Sequence, residues 1–407
     1  MYDVNKIRKD FPMLNNPNAS NLTFLDNAST TFKPQKVLDE INLYYTTYTA
    51  NSHRGDYDTC YQVDQKIAET RKKVAKFVNA EENEVVFTSG TTMSINLIAY
   101  GYAMKYLKAG DEIVIDEAEH ASNSLPWFKV AEKTGAVIKF VPLNEKGRIT
   151  KENLIKTLSN RTKIVALAAV TNVLGYKIDA KEFAKEIHKV GAIFALDGAQ
   201  SVPHTKTDFK DLGVDFLSFS AHKMLGPTGV GCLVGKYVLL SKMDSFLTGG
   251  GMNVTFSKDV SVEVLNPPTK FEAGTLNIAG IIGFGAAIDY INGIGIDAIE
   301  EHEKELRDYA HTRLNELDDI IVYNKDSDAG IVAFNRKGIF SQDEATLLNY
   351  RKIAVRSGQH CAKMLNDYLG CAATLRASFY LYTTKEDIDR LIDVLKEKGD
   401  ILDAYFN

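Results

Sequence analysis

The stretch FSAHKMLGPTGVG, residues 219–231, decides how the rest of the chain is read. It opens on the end of an apolar run, VDFLSFS (214–220), and reaches Lys223 between Ser220, His222 and a Gly/Pro turn. A second apolar run, GVGCLVG (229–235), follows. Short continuous apolar runs bounded by turn residues are strands buried on both faces. Solvated lysines are not usually flanked this way. An amine desolvated among polar groups has its pKa lowered, which suits an imine-forming nucleophile. An ordinary turn lysine is the plainer alternative.

The same rhythm extends upstream. EVVFTS (84–89), DEIVIDE (111–117), AVIKFVPL (136–143), KIVALAAV (163–170) and AIFALD (192–197) are strand-like, and most are separated by helix-length stretches. One of these helical stretches, from residue 61 to 78, places Val63, Ile67, Val74 and Phe77 on one face. Alternation of this kind indicates βαβ units and a mostly parallel sheet of seven strands covered on both sides. Functional groups then gather at the carboxyl ends of the strands. The class is α/β, with a large domain over residues 21–292. A smaller α+β domain comprises residues 293–407 and is completed by residues 1–20. Within it, Thr383 and Glu386 form a capping-box pattern ahead of the last helix.

A chain of 407 residues accommodates two such domains, and 45% hydrophobic with 25% charged residues is the balance of a soluble globular protein. The net charge of −5 argues against a nucleic-acid or anionic-membrane partner held by bulk electrostatics. The charged N-terminal residues do not read as a secretory signal, and no apolar run reaches the ~18 residues of a membrane span. The four cysteines form no CxxC pair, so a disulfide framework is not expected and a reducing cytoplasm is. No metal site is expected.

Two more motifs carry chemistry. FTSGTTMSIN (87–96) reads as strand, turn and helix, and joins backbone N–H groups at a helix start to the hydroxyls of Thr91 and Thr92. It lacks the lysine and glycine spacing of a P-loop. In ALDGAQS (195–201), Asp197 ends an apolar strand, where a carboxylate needs a cation or donors, and Gln200 follows three residues later. Taken singly, each also reads as a helix cap. Together, an anion cradle, a carboxylate for a pyridinium nitrogen and an imine-forming lysine are what pyridoxal 5'-phosphate (PLP) requires.

Their order resembles that of the fold-type I PLP-dependent transferases. LDNASTT (25–31), HRG (53–55), EAEHASNSLPW (117–127), TNVLG (171–175), FEAGTLN (271–277) and RSGQHCA (356–362) narrow the likeness. The chain resembles the class V aminotransferase superfamily and, within it, the group II (Suf-type) cysteine desulfurases. The short interval from Arg356 to Cys361 is the group II pattern.

That resemblance implies a role for each matching residue. Lys223 holds the cofactor covalently and later moves the substrate's α-proton. Asp197 pairs with the ring nitrogen, Gln200 with the phenolic oxygen, and His120 stacks on the ring. Thr91, Thr92, Ser220 and His222 hold the phosphate, joined by Thr275 from a second subunit of a homodimer. Asn172 and Arg356 clamp the carboxylate of L-cysteine, with Arg376, Ala28 and His53 nearby. Cys361, on a mobile polar loop, takes the substrate's sulfur as a persulfide and leaves alanine. The sulfur then passes to a Suf-type acceptor protein for iron–sulfur cluster assembly. One position departs from the pattern: Gln359 stands where group II enzymes usually have a histidine, and a glutamine cannot shuttle a proton. A selenocysteine lyase, a cysteine-sulfinate desulfinase, another class V aminotransferase or hydrolase, and a non-catalytic sulfur-relay scaffold are the rival readings.

Overall fold

The computed structural model describes residues 2–17, 21–52 and 55–397. Its central sheet has seven strands: β1 (Val85–Thr88), β2 (Glu112–Asp116), β3 (Val137–Val141), β4 (Thr162–Ala168), β5 (Ile193–Asp197), β6 (Phe216–Ser220) and β7 (Gly231–Gly235). These are the seven runs read as strands from the sequence. Their order across the sheet is β1-β7-β6-β5-β4-β2-β3. All neighbours are parallel except β7, which runs antiparallel to both β1 and β6. The pairing of β1 and β6 with β7 requires backbones to close up at its first residue. A Cβ at Gly231 would lie 2.5 Å from the Phe219 carbonyl oxygen and 2.6 Å from Gly90 Cα.

Helices cover the sheet. α1 (Gln35–Thr47) and α2 (Asp58–Phe77) lie against the almost wholly buried α4 (Ile278–Ile294), and α3 (Thr91–Ile98) follows β1 directly. On α2, Val63, Ile67 and Val74 are buried and Phe77 is half-buried, as the periodicity predicts. After Gly295, α5 (Ile296–Asn315) and α6 (Lys385–Glu397) pack on a second, antiparallel sheet. Its strands are β8 (Ile320–Val322), β9 (Ile331–Arg336), β10 (Arg356–Gly358) and β11 (Thr374–Ser378), in the order β8-β9-β11-β10. Thr23–Phe24 pairs in parallel with Ile353–Ala354 beside it.

The N-terminal segment is tied to the C-terminal one. Arg8 donates to Asp387 (2.9 Å) and to the Tyr382 carbonyl (2.7 Å). Asp387 also completes the cap of α6, and here the capping box sits one residue later than the sequence pattern suggested. Thr384 N donates to Asp387 Oδ2 (3.0 Å), and Asp387 N donates back to Thr384 Oγ1 (3.2 Å). Thr383 instead takes a hydrogen bond from Tyr380 N, and Glu386 faces solvent.

Candidate active site

Because β1, β4, β5 and β6 all point the same way, their last residues meet at one edge of the sheet. The result is a cavity at that edge. Ala168 ends β4, Asp197 ends β5 and Ser220 ends β6, while the start of α3 supplies Thr91 and Thr92. The same cavity is lined by Lys223, His222, Gln200, His120, Asn172, Ala28, Arg356 and Arg376. The second sheet therefore closes the site with two arginines.

Lys223 ends a one-turn 3-10 helix, Ala221–Lys223, directly after β6. Burial lowers its pKa to about 8; Asp197 opposes that shift, and Arg376 and Arg356 add to it. Asp197 Oδ1 accepts from Ala199 N (2.8 Å), and burial raises this carboxyl above its usual range. Gln200 Nε2 donates to the Ala28 carbonyl (2.7 Å), leaving Oε1 buried without a partner among the described residues. His120 is pushed down to about 4 by burial first, then by Lys223, Arg356 and Arg376. Its Nδ1 accepts from Ser122 N (3.0 Å), so the neutral ring carries its proton on Nε2. Thr91 N and Oγ1 both meet Ser220 Oγ at 2.8 Å, and Thr92 Oγ1 meets Ser122 Oγ at 2.8 Å. His222 is likewise lowered to about 4, mainly by burial.

Cys361 stands at the cavity mouth, exposed, with Sγ 3.6 Å from Arg356 Nη2. Its turn is tethered at two carbonyls. His360 (φ 50°) and Cys361 (φ 57°) are consecutive left-handed residues. Such a turn costs about 1–2 kcal/mol per residue and needs tethers. The His360 carbonyl accepts from Asn172 Nδ2 (2.8 Å) and the Cys361 carbonyl from Ala121 N (2.7 Å). The His360 ring is buried on Thr374, with Nε2 2.9 Å from its carbonyl oxygen, and burial followed by Arg376 and Arg356 lowers its pKa to about 3. Gln359, the departure from the family pattern, is exposed.

Among the described residues, two expected ones do not line this cavity: Thr275, and Cys361, which meets it through Arg356. Thr275 is exposed, with its Oγ1 accepting from Asn51 Nδ2 (3.2 Å), and His53 lies outside the described residues. Sequence reasoning missed Ser29. Its hydroxyl contacts Arg356 Nη1 (3.0 Å) and Arg376 Nη2 (2.8 Å), joining the two guanidinium groups. It also missed Ser122, which joins Thr92 to the His120 turn. Both serines lie inside motifs already singled out, LDNASTT and EAEHASNSLPW, and that was the available signal.

The chain belongs to the class-V aminotransferase family, whose profile matches residues 23–391. Its relatives are more specific. It is 46% identical to a probable cysteine desulfurase of Halalkalibacterium halodurans, over 99% of this chain and 100% of that one. A probable cysteine desulfurase of Staphylococcus aureus is 42% identical over 100% of this chain and 99% of its own. Among solved structures, the cysteine desulfurase CsdA (S-sulfonic acid) from Escherichia coli superposes with a TM-score of 0.91 at 35% identity, covering 99% of each chain. The apo cysteine desulfurase from Thermococcus onnurineus gives 0.92 at 37% identity, covering 97% of each.

PLP is the cofactor of this family, and the cavity fits it. Among the described residues, Gln200 Oε1 and Asn172 Oδ1 are buried acceptors without partners, which a bound group would satisfy. Asp197 is a buried carboxylate for which a pyridinium N–H supplies the opposing charge. The Ser220–Thr91 hydroxyl pair beside the N-terminus of α3 suits a phosphate.

Proposed function

We propose that this protein is a homodimeric cytoplasmic cysteine desulfurase of the group II (Suf) type. It converts L-cysteine to L-alanine and passes the sulfur, through a Cys361 persulfide, to an acceptor protein for iron–sulfur cluster assembly. The observation that carries this reading is the thiol of Cys361 beside Arg356, at the mouth of the cavity that holds Lys223 and Asp197.

Lys223, Asp197, Gln200, His120, Thr91, Thr92, Ser220 and His222 would hold PLP. When bound, PLP supplies an electron sink that makes the substrate's α-proton labile and weakens its C–S bond. The chain's own groups do the rest. With a pKa near 8, Lys223 has a neutral fraction at physiological pH and can both hold the cofactor and move that α-proton. Arg356 offers its planar fork to the substrate carboxylate, with Asn172 beside it. His120, kept neutral by burial, would add no positive charge beside the cofactor. The Cys361 thiolate attacks the substrate's sulfur: an S–S bond forms as the C–S bond breaks, and the carbon takes up a proton to leave as alanine.

The dimer reading is supported by the hairpin of Asn253–Phe256 and Val262–Val264. It exposes Phe256 (74%), Val260 (90%) and Val262 (64%) to solvent in the single chain. Thr275, also exposed, is available to a second subunit. Exposure of Cys361 suits hand-over to an acceptor, and four free cysteines suit a reducing compartment.

The test is release of sulfide and alanine from L-cysteine with and without reductant. Equal amounts of both products in the presence of reductant are expected. Accumulation of pyridoxamine phosphate, or turnover of selenocysteine alone, overturns the assignment.

A further inference from the structure

Beneath the His120 turn lies a buried chain of hydrogen bonds that ends on neither substrate nor cofactor. Trp127 Nε1 donates to Asn123 Oδ1 (3.2 Å), Asn123 Nδ2 donates to Glu119 Oε2 (2.7 Å), and Ala168 N donates to Glu119 Oε1 (2.6 Å). Glu119, Asn123 and Trp127 are each no more than 1% exposed. The two ends of this chain, an indole N–H and a backbone N–H, are donors only. That fixes the polarity of everything between them. The Asn123 carbonyl oxygen must face the indole, its NH2 must face Glu119, and both Glu119 oxygens must accept. Residue 119 has to be a carboxylate-type double acceptor, and an amide there creates one donor–donor conflict whichever way Asn123 turns.

The parts tied together are those the site uses. Ala168 pairs in register with Asp197. Asn123 N donates to the His120 carbonyl (2.7 Å), and Ala121 N holds the Cys361 carbonyl (2.7 Å). Asp116, in the same buried pocket, is raised to about 7 by burial. Burial first and then Asp116 raise the Glu119 carboxyl well above its usual range too, while the Asn123 and Ala168 donors oppose that rise.

We propose that Glu119 is a positioning residue: through Asn123 and Ala168 it fixes the turn carrying His120, the strand end beside Asp197 and, through Ala121, the Cys361 turn. The catalytic consequence rests on the desulfurase reading above, whereas the wiring does not.

A carboxylate–amide exchange tests it in the PLP-loaded protein. In E119Q/N123D the indole N–H meets one oxygen of the carboxylate now at position 123. The amide NH2 now at position 119 meets the other oxygen, and the Ala168 N–H meets the amide oxygen, so every donor again has an acceptor. Trp127 is the protein's sole tryptophan, so its emission reports the network without any turnover. E119Q alone and N123D alone are expected to shift that emission. Each is expected to weaken visible cofactor absorption at limiting PLP and to lower cysteine turnover about tenfold or more, the scale of one unsatisfied buried donor. The double variant is expected to recover emission, cofactor retention and turnover to within about threefold of the parent. Recovery of folding by the double variant where E119Q misfolds supports the proposal equally. Losses in the double that equal the product of the single losses, a double that misfolds with the singles, or an unperturbed E119Q each overturn it. If the protein proved not to desulfurate cysteine at all, emission and cofactor retention would still give the answer.

Discussion

Arg356 and Arg376 face each other directly across the β10–β11 pair, yet only Arg376 has a carboxylate partner among the described residues, Asp26 at 3.0 Å. Like charges directly opposite each other destabilise a strand pair. Arg376 is buried, its two terminal nitrogens are engaged by Asp26, Ser29 and the Asn172 carbonyl, and its Nε has no partner among the described residues. Arg356 is half-buried and, among the described residues, its guanidinium hydrogen-bonds only Ser29 and Cys361, so it keeps donors for an incoming anion.

The two arginines should therefore separate by experiment. Arg356→Lys keeps the charge but loses the fork. It should lower kcat/KM for cysteine about tenfold or more, on the order of 1.4 kcal/mol, with cofactor absorption intact. Arg376→Met removes a buried guanidinium with its hydrogen bonds and leaves Asp26, itself 23% exposed, without its cation, a loss of about 1–3 kcal/mol. It should lower the thermal midpoint sharply, whereas Arg356→Lys should barely move it. Unchanged kinetics in Arg356→Lys would pass the carboxylate to another group.

Lys223 offers a test through pH. With its pKa lowered to about 8 by burial, the amine of the cofactor-free protein should be half neutral there, against 10.5 for a free lysine. Rebinding of PLP should therefore accelerate as pH rises through about 8, and borohydride should then leave the label on Lys223. Acceleration centred near 10, or a label on another lysine, would contradict the buried-amine assignment.

How much of this was legible beforehand depends on where the information sits. The seven strands were readable because each is bounded by turn residues and nearly all are buried on both faces, reading as unbroken apolar runs. That β7 runs antiparallel went unread, although the connection from β6 to β7, residues 221–230, is too short for the crossover helix that a parallel neighbour needs. The hairpin at 253–264 went unread because its apolar side chains face outward. Lys223, Asp197 and Thr91 stood out as polar residues at the ends of apolar runs. Ser29 and Glu119 did not, because Arg356 and Arg376 lie hundreds of residues from Ser29 and Ala168 lies 49 from Glu119, so only the fold joins them. The helical spacing of Glu119, Asn123 and Trp127, four residues apart each time, was the one available hint.

Acid should weaken the cofactor-free fold. His120 and His222 are lowered to about 4 and His360 to about 3, in each case by burial first. The unfolded chain, with histidines near 6.5, then binds more protons than the folded one between about 3 and 6.5. Stability is intact above 6.5 and falls as pH drops toward 4. His360→Gln keeps a donor for Thr374 and removes one titrating group. Chemical unfolding followed by circular dichroism at pH 7, 6 and 5 should show a shallower loss in that variant. Identical slopes would mean that His360 is protonated in the fold without penalty.

The dimer proposal places Thr275 in the partner's site. Thr275→Ala should weaken PLP retention. Mixing it with a Lys223→Ala chain should then give hybrids with one intact and one doubly impaired site, so that retention partly recovers. Ultracentrifugation showing an active monomer at micromolar concentration would remove both the dimer and that role.

The remaining prediction concerns Cys361. Its carbonyl is held by Ala121 N and its thiol lies by Arg356, so Cys361→Ser alters neither the tether nor the cavity. The variant should bind PLP and cysteine with normal absorption changes, since neither event uses the thiol. A serine hydroxyl is almost un-ionised at neutral pH and attacks sulfur poorly, so release of sulfide from cysteine should fall to background. Selenocysteine separates this from general damage: the weaker C–Se bond breaks without a protein nucleophile, so the variant should retain much of that turnover. Mass spectrometry of the parent protein after brief exposure to cysteine should find one added sulfur on Cys361. Cys60 and Cys232, buried, and Cys371, half-buried, should carry none. Full turnover of cysteine by the serine variant, or a persulfide on another thiol, would leave Cys361 an incidental surface cysteine.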